Sequence, residues 1–361
     1  MIEFIDVYKA YADVQVLSRI NLKVHRGEFL TLLGPSGSGK TTLLNIASGL
    51  LKPSAGTVLI DGKDAANLRP GERGLGMVFQ NYALMPHMTV FENIAFPLRV
   101  RKVPQAEIRQ RVSDVLKQVR LPNVETRKPK ELSGGQQQRV SLARCIVYSP
   151  ALILMDEPLG ALDKKLREQM QFEIKQLHAE LGITMINVTH DQEEALTLSD
   201  RIVLMNQGEV EQEGTPTELY QNPRTVFAGD FIGEGNFLDG TLRAGSGELA
   251  HVQACGAELR CRRPQASLCE GSPVKVLVRP ENLSIREVGA LGQGPGDAMH
   301  NALPGKIIDN LVLGGVVKHR LLLDAGKELF SQQANRLGSR VFERGERVEV
   351  TFSPQSATVL P

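Results

Sequence analysis

Several features are scarce or missing in this chain of 361 residues. The formal net charge is only +1, so composition gives no electrostatic reason to expect nucleic acid as a partner. No apolar run approaches the roughly 18–20 residues that a membrane-spanning helix needs, and the N-terminus has no signal-peptide pattern. The four cysteines form no CxxC pair and match no zinc pattern, which favours reduced thiols. We therefore expect a chain that stays in the cytoplasm and reaches a membrane only through a partner.

The length predicts two domains, because one hydrophobic core seldom grows beyond about 250–300 residues. Up to about residue 230, apolar strands alternate with helical stretches, which is typical of an α/β domain with a largely parallel sheet. Residues 88–150 depart from that pattern and are predicted to form a helical insertion. After residue 236, short strands between glycine- and proline-rich turns predict a small all-β barrel or sandwich. The predicted domains are 1–235 and 236–361.

A glycine-rich loop, GPSGSGKT at residues 34–41, carries the clearest chemistry in the chain. An apolar strand precedes it and a helix follows, so an anion would sit at a helix N-terminus, where unpaired N–H groups and the dipole favour negative charge. Lys40 can reach the β- and γ-phosphates, and the Thr41 hydroxyl can face Mg²⁺. The pattern predicts nucleotide binding, but kinases, GTPases and ATPases share this loop.

A second anion site is predicted at LSGGQ, residues 132–136. Ser133 is placed to cap the following helix, and a serine followed by two glycines at a helix start leaves N–H groups open to a phosphate. The same residues also make an ordinary turn before a helix, which is the alternative interpretation. The nearby phosphate loop favours the anion site.

Two apolar strands end in polar residues. LILMDE, residues 152–157, ends in Asp156, predicted to hold Mg²⁺, and Glu157, predicted to be the general base for water. The alternative is a solvated strand terminus. ITMINVTH ends in His190, which by itself is more often structural. At the ligand-binding edge of a parallel sheet, however, it can contact the γ-phosphate or the attacking water.

Together these motifs resemble the ATP-binding subunits of ABC transporters. The loop at 34–41 matches the family's Walker A motif, 132–136 its signature, 152–157 its Walker B motif and His190 its switch histidine. Gln80 matches the Q-loop, and residues 159–163 (LGALD) match the D-loop with Asp163. Tyr11 lies where the family places an aromatic that stacks on adenine. The resemblance spans about residues 3–235.

The resemblance implies a P-loop ATPase fold and a set of roles for individual residues. It implies ATP contacts from Tyr11, Gly34, Pro35, Ser36, Gly37, Ser38, Gly39, Lys40, Thr41 and Thr42. It implies that Ser133, Gly134, Gly135 and Gln136 face the ATP of the opposite subunit in a homodimer. Mg²⁺ would be held by Thr41, Gln80 and Asp156, while Glu157, His190 and Gln80 act in catalysis.

The region after residue 236 also has a resemblance, because VRPENLSI (278–285) is similar to a segment in the OB-like C-terminal domain of import-type ATPases. In that group the domain supports the dimer and sometimes regulates it. The apolar loop after Gln80 could by its residues be core or a docking surface. The resemblance implies that it contacts two membrane permease subunits, and it also implies an extracytoplasmic solute-binding protein. The ATPase would lie at the cytoplasmic face of the membrane.

The cargo is the least constrained part of this interpretation, because such an ATPase does not touch it. The overall layout resembles spermidine/putrescine importers most. Ferric iron, sugar, sulfate and phosphonate importers share most of the same features and remain alternatives. A soluble ABC ATPase would normally carry a second cassette or a long coiled coil, and a P-loop kinase would not need LSGGQ.

Overall fold

A computed structural model of the chain describes residues 1–243, 249–263, 268–289, 300–338, 340 and 342–361. These residues form two compact units, Met1–Leu219 and Tyr220–Pro361. The division falls before the boundary expected at 235/236, although residue 236 begins the first strand of the second unit. That domain boundary stays a prediction. No helix in the described ranges is long and apolar enough to cross a membrane.

The first unit contains ten strands in two sheets. They are β1 (Ile2–Tyr11), β2 (Val14–Val24), β3 (Phe29–Leu33), β4 (Ala55–Ile60), β5 (Lys63–Asp64), β6 (Leu75–Val78), β7 (Leu152–Asp156), β8 (Thr184–Thr189), β9 (Arg201–Asn206) and β10 (Glu209–Gly214). The central sheet has the order β10-β9-β3-β8-β7-β6, and every pair except β10–β9 is parallel. β3 and β8 are buried along their whole length, as strands covered on both faces should be. The predicted largely parallel sheet is confirmed.

A second, antiparallel sheet of order β2-β1-β4-β5 adds to the predicted architecture. The alternation of strands and helices in the sequence did not indicate this antiparallel sheet. The pairing of β1 with β2 contains several register shifts. Each shift breaks the two-residue periodicity by which a half-buried strand is recognised in a sequence.

Seven helices begin in the described part of the first unit. They are α1 (Lys40–Ser48), α2 (Val90–Val100), α3 (Gln105–Gln118), α4 (Gly134–Ile146), α5 (Lys164–Leu181), α6 (Gln192–Leu198) and α7 (Pro216–Gln221). α2, α3 and α4 fall within the stretch predicted as a helical insertion. α2 and α4 both begin with a capping box, in which Thr89 and Ser133 exchange hydrogen bonds with the residue three positions later. The limits of the helical subdomain stay a prediction.

Strand β6 is at the edge of the central sheet, and side chains near the end of α4 cover part of its backbone. The Cys145 thiol lies 3.1 Å from the carbonyl oxygen of Met77, and the Tyr148 hydroxyl donates to that of Leu75 at 2.9 Å. These side chains satisfy carbonyl groups that have no neighbouring strand on that side. The edge of the sheet is therefore closed by the helix that follows the LSGGQ motif.

The described part of the second unit is a β-domain, and one short α-helix begins in it, α8 (Val226–Phe231). Its described strands are β11 (Asn236–Arg243), β12 (Leu249–Ala254), β13 (Ala257–Arg262), β14 (Pro273–Val278), β15 (Ser284–Glu287), β16 (Asn301–Leu313), β17 (Val316–Leu323), β18 (Glu328–Ala334), β19 (Arg347–Phe352) and β20 (Ala357–Leu360). Five close into a barrel, β11-β12-β13-β20-β14, and the others form a sheet of order β15-β19-β16-β17-β18. Five-stranded barrels are typical of OB-like domains, so the predicted all-β C-terminal fold is confirmed.

An acidic side chain is buried against β8 in the first unit. Glu194 of α6 is 2% exposed, and its carboxylate accepts hydrogen bonds from the Asn187 amide at 2.8 Å and the Thr189 hydroxyl at 3.1 Å. Burial raises the pKa of Glu194 to about 7, and the two hydrogen bonds only partly oppose that rise. The neutral carboxyl thus favours folding below about pH 4.5, and this contribution is lost as the pH rises through about 7.

We expect Glu194→Gln to become more stable relative to the native protein as the pH increases. The amide cannot ionise, and the buried Asn187 Oδ1, which has no hydrogen-bond partner among the described residues, can accept its N–H. Between about pH 5 and about pH 8 the difference in unfolding free energy should shift by about 2.5 kcal/mol toward the variant. Chemical denaturation at both pH values measures it. An equal difference at both pH values would contradict the raised pKa of Glu194.

Candidate functional site

Four neighbouring parallel strands end at one edge of the central sheet, and each is followed by a residue singled out in the sequence. β3 leads into the loop at 34–41, β8 into His190, β7 into Asp156 and Glu157, and β6 into the segment with Gln80. Because the four strands are adjacent and parallel, their carboxyl ends lie side by side, which is the ligand-binding edge of an open α/β sheet.

The glycines of the phosphate loop are required by both space and backbone conformation. A Cβ atom on Gly34 would lie 2.2 Å from the Met205 carbonyl oxygen, and one on Gly39 would lie 2.5 Å from Leu17 Cδ2. Gly37 borders open space but has a φ of 81°, in the left-handed region. Pro35, Ser36 and Ser38 complete the loop. Larger residues would not allow this path, which turns the loop back onto the N-terminus of α1.

Lys40 is folded into the loop and is only 6% exposed. Its ammonium group donates to the carbonyl oxygens of Gly34 and Pro35, both at 2.8 Å, and contacts the Ser38 hydroxyl at 3.3 Å. Burial lowers the pKa of Lys40, while the nearby carboxylates of Glu157 and Asp156 oppose that effect. The desolvated ammonium group therefore lies at the phosphate loop, where an anion would compensate its charge.

Asp156 and Thr41 bring two side-chain oxygen atoms together at the base of the site. The Thr41 hydroxyl donates to Asp156 Oδ1 at 3.2 Å. Burial raises the pKa of Asp156, the neighbouring Glu157 also raises it, and Thr41 and Lys40 act in the opposite direction. Hydroxyl and carboxylate oxygens are the donors that Mg²⁺ prefers. Thr42 follows within the first turn of α1.

Glu157 is held from two sides. Its Oε2 accepts from Gln80 Nε2 at 3.1 Å, and its Oε1 lies 2.9 Å from His190 Nδ1. Its backbone has a φ of 46° and donates to the Val188 carbonyl oxygen at 2.9 Å. A left-handed backbone is uncommon for glutamate and is found where surrounding contacts hold it, often in functional sites. Of the three residues predicted to act in catalysis, Gln80 and His190 therefore both contact Glu157.

The loop that follows Gln80 is fixed by buried side chains of α2 and α4. Asn93 accepts from the backbone N–H of Met85 at 2.8 Å and donates to the carbonyl oxygens of Met85, Met88 and Thr89. Ser141 and Arg144 of α4 donate to the carbonyl oxygens of Tyr82 and Ala83, two consecutive residues with positive φ. This loop, which we predicted as the docking segment, thus has a defined conformation.

The LSGGQ segment lies against the segment that follows Glu157. Ser133 caps α4 through a capping box with Gln136. Cβ atoms on Gly134 and Gly135 would each come within 3.1 Å of a leucine, Leu162 and Leu166 respectively. Across the described residues, no hydrogen bond joins positions 133–136 to positions 34–42.

Two further predicted site residues, Asp163 and Tyr11, each have one described side-chain interaction. Asp163 caps α5, and its carboxylate accepts from the Leu166 N–H at 3.0 Å. Tyr11 is half exposed at the end of β1, with Lys9 Nζ 4.9 Å from its ring centroid. An exposed ring can stack on a planar base, as predicted for adenine.

Two residues that the sequence analysis missed adjoin the site. Asp191 immediately follows His190 and caps α6, and its Oδ2 accepts from Arg167 Nη1 at 2.8 Å. The sequence held one signal for Asp191, an aspartate three residues before a glutamate at a helix start. Arg167 lies on α5, and its partner Asp191 is 24 positions further along the chain. The periodicity of the sequence could therefore not indicate this pair.

Comparison with known proteins identifies two domain types. The family model "ABC transporter" matches residues 17–160, and the model "TOBE domain" matches residues 276–360. Among solved structures, a dimeric post-hydrolysis state of the ATP-binding cassette MJ0796 bound to ADP and Pi is 38% identical, with a TM-score of 0.54. It covers 60% of this chain and 99% of that one. The structure of cbiO1 from Clostridium perfringens, part of the ABC transporter complex cbiONQ, is 32% identical, with a TM-score of 0.57, and covers 60% of this chain and 89% of that one.

Curated relatives match along the whole length. The spermidine/putrescine import ATP-binding protein PotA of Rubrobacter xylanophilus is 42% identical over 98% of this chain and 92% of its own. The protein of the same name from Aliivibrio fischeri is 42% identical over 100% of this chain and 95% of its own. Such identity over nearly complete chains agrees with the phosphate loop, the strand-end carboxylates and the C-terminal barrel. The chain belongs to the ABC transporter family, as one of its ATP-binding proteins.

Proposed function

We propose that this protein is the ATP-hydrolysing subunit of a membrane importer, and that the imported solute is a polyamine, spermidine or putrescine. The observation that carries the hydrolytic part is the contact of Glu157 with both Gln80 and His190, beside the phosphate loop. The names and near-complete coverage of the curated relatives support the cargo. The named roles of individual residues are part of this proposal.

The phosphate groups of ATP bind at the N-terminus of α1. Backbone N–H groups of the glycine-rich loop and the ammonium group of Lys40 supply positive charge there. Lys40 already points into the loop, so few of its rotamers must be frozen when the nucleotide enters. The exposed ring of Tyr11 stacks on adenine.

The chain also offers suitable ligands for Mg²⁺. The Thr41 hydroxyl and Asp156 carboxylate are 3.2 Å apart, and Gln80 uses its amide nitrogen toward Glu157, which leaves the amide oxygen as its ligand atom. When bound with ATP, the ion neutralises negative charge on the phosphates. The raised pKa of Asp156, caused first by burial, fits a carboxylate whose charge is compensated by a cation.

Hydrolysis depends on the carboxylate of Glu157, which accepts a proton from the attacking water. Gln80 and His190 hold the two carboxylate oxygens and so fix its orientation. His190 also provides a hydrogen bond toward the γ-phosphate. Orientation and electrostatic stabilisation are the main sources of rate enhancement in phosphoryl transfer.

We expect Glu157→Gln to bind ATP normally and to lose at least about 100-fold in turnover, because the amide cannot accept the proton. Measurement of ATP binding and of phosphate release by the purified variant tests this. Glu173→Gln is the matched control, since Glu173 is a half-buried carboxylate in an ion pair on α5. Near-native turnover of Glu157→Gln would remove this residue from the role of base.

We further propose that two copies of the chain share each nucleotide. Ser133 lies at an α-helix N-terminus with adjacent N–H groups, but among the described residues it makes no hydrogen bond to its own phosphate loop. A second copy can bring its LSGGQ segment to this loop, in a two-fold dimer with two composite sites. The similar cassette MJ0796 has been solved as a dimer.

Mixing two inactive variants tests the shared site. Lys40→Ala should lose affinity for ATP because a charge-assisted contact disappears, and Ser133→Arg should bind ATP but not hydrolyse it. A heterodimer of the two retains one intact site, so random pairing in an equimolar mixture should recover roughly a quarter of native turnover. Absence of any recovery, or normal hydrolysis by monomeric Ser133→Arg, would contradict the shared site.

The remaining partners follow from the import function. The ATPase would sit at the cytoplasmic face of the membrane, bound to two permease subunits that receive the loop after Gln80. An extracytoplasmic binding protein would deliver the solute. The fixed conformation of that loop, held by Asn93, Ser141 and Arg144, suits a docking surface that transmits movement.

The cargo can be tested in vesicles that contain the ATPase, both permeases and the binding protein. We expect spermidine or putrescine to stimulate ATP hydrolysis, and Glu157→Gln to abolish the stimulated rate. A sugar and ferric iron are the comparison cargoes. Stimulation by one of these instead would retain the import function and reject the polyamine.

A further inference from the structure

A closed ring of contacts connects the two segments that carry His190 and Glu157. The His190 ring meets the Glu157 carboxylate at 2.9 Å, and the next residue, Asp191, pairs with Arg167 at 2.8 Å. Arg167 also donates through Nη2 to the carbonyl oxygen of Leu162 at 3.2 Å. Residues 157–162 then lead back along the chain to Glu157.

The segment 157–162 is a compact turn, so a displacement of Leu162 reaches Glu157. The N–H of Gly160 donates to the Glu157 carbonyl oxygen, and that of Leu162 to the Leu159 carbonyl oxygen, both at 3.2 Å. Leu159 is fully buried. The guanidinium group of Arg167 therefore anchors the far end of a short, tightly folded segment that begins with the proposed base.

Asp191 is equally constrained on the other side of the ring. One carboxylate oxygen accepts from the N–H of Glu194 at 3.1 Å, and the other accepts from Arg167. Its own N–H donates to the Thr189 hydroxyl at 3.0 Å. Asp191 thus fixes the backbone on both sides of His190 while Arg167 holds its carboxylate.

We infer that Arg167 is a positioning residue for ATP hydrolysis, acting through Asp191 and Leu162 to keep His190 and Glu157 in contact. This inference rests on the proposed function. The planar guanidinium group can bond a carboxylate and a carbonyl oxygen with separate nitrogens, whereas a lysine ammonium group is a single point charge. With 31% exposure for Arg167 and 22% for Asp191, the pair is partly shielded from water.

The same helix provides a matched ion pair outside the ring. Glu173 of α5 accepts from Arg139 at 2.6 Å, with exposures of 23% and 18%. Replacing Glu173 removes a comparable half-buried ion pair on α5 and leaves the segments that carry His190 and Glu157 unchanged. Glu173→Gln therefore reports what a purely structural loss does to activity.

The experiment compares Arg167→Gln, Arg167→Lys, Asp191→Asn and Glu173→Gln in the full-length protein. For each, melting temperature, ATP-binding stoichiometry, KM and kcat are measured. We expect the first three to bind a full complement of ATP with KM within about twofold of native, while kcat falls about 10- to 100-fold. Arg167→Lys should lose least, and Glu173→Gln should retain native kcat. Arg167→Gln combined with Asp191→Asn should be no slower than the slower single variant, because both remove the same contact between Arg167 and Asp191.

Several results would overturn the inference. One is a native kcat in the folded Arg167 variants. Another is a fall in kcat that is no larger than that of Glu173→Gln. If Arg167→Gln does not fold, Arg167→Lys decides between the same outcomes. Glu157→Gln is measured alongside. If that variant loses turnover as expected while the Arg167 variants keep native kcat, the inference is rejected and the proposed function is retained. Absence of hydrolysis by the native protein rejects both.

Discussion

The parallel pairing of β6, β7, β8 and β3 is the constraint on which the site depends. Parallel strands about 4.8 Å apart place their ends in a row, so the sheet spaces the phosphate loop, His190, the two carboxylates and Gln80 at intervals of about one strand. His190 stands between the phosphate loop and the acidic residues because β8 lies between β3 and β7. Any change in strand order would separate groups that now touch.

The candidate site concentrates ionisable groups that are poorly solvated. Burial lowers the pKa of Lys40 and raises that of Asp156, so each residue resists its own charged form. A phosphate chain with its cation would supply the missing counter-charges to both residues. The preorganised charges then need little rearrangement when substrate binds, which is how electrostatic catalysis is most effective.

The fold class and the elements around the motifs could be predicted from the sequence, because each depends on local signals. The apolar run before Asp156 indicated β7, and the serine before two glycines indicated the start of α4. The antiparallel sheet of β1, β2, β4 and β5 was missed because its bulges hide the strand period. The pairing of Arg167 with Asp191 was missed for another reason, since a contact between distant positions leaves no periodic trace in one sequence.

The same limit applies inside the candidate site. Residue types and spacing indicated Glu157 as the base, but not its left-handed backbone or its two side-chain partners. Those depend on where β6 and β8 place Gln80 and His190. Sequence reasoning thus named residues that meet at this edge of the sheet, and only the tertiary arrangement could supply their contacts.

The cover over β6 has a consequence for the behaviour of the protein in solution. An uncovered edge strand is a template on which another chain can add a strand, and such pairing leads to aggregation. Here the thiol of Cys145 and the hydroxyl of Tyr148 occupy carbonyl groups that an incoming chain would need. Burial raises the pKa of the Cys145 thiol to about 11, which keeps it protonated and slow to react with oxidants. The protection of the β6 edge from strand addition therefore depends partly on one sulfur atom that resists oxidation.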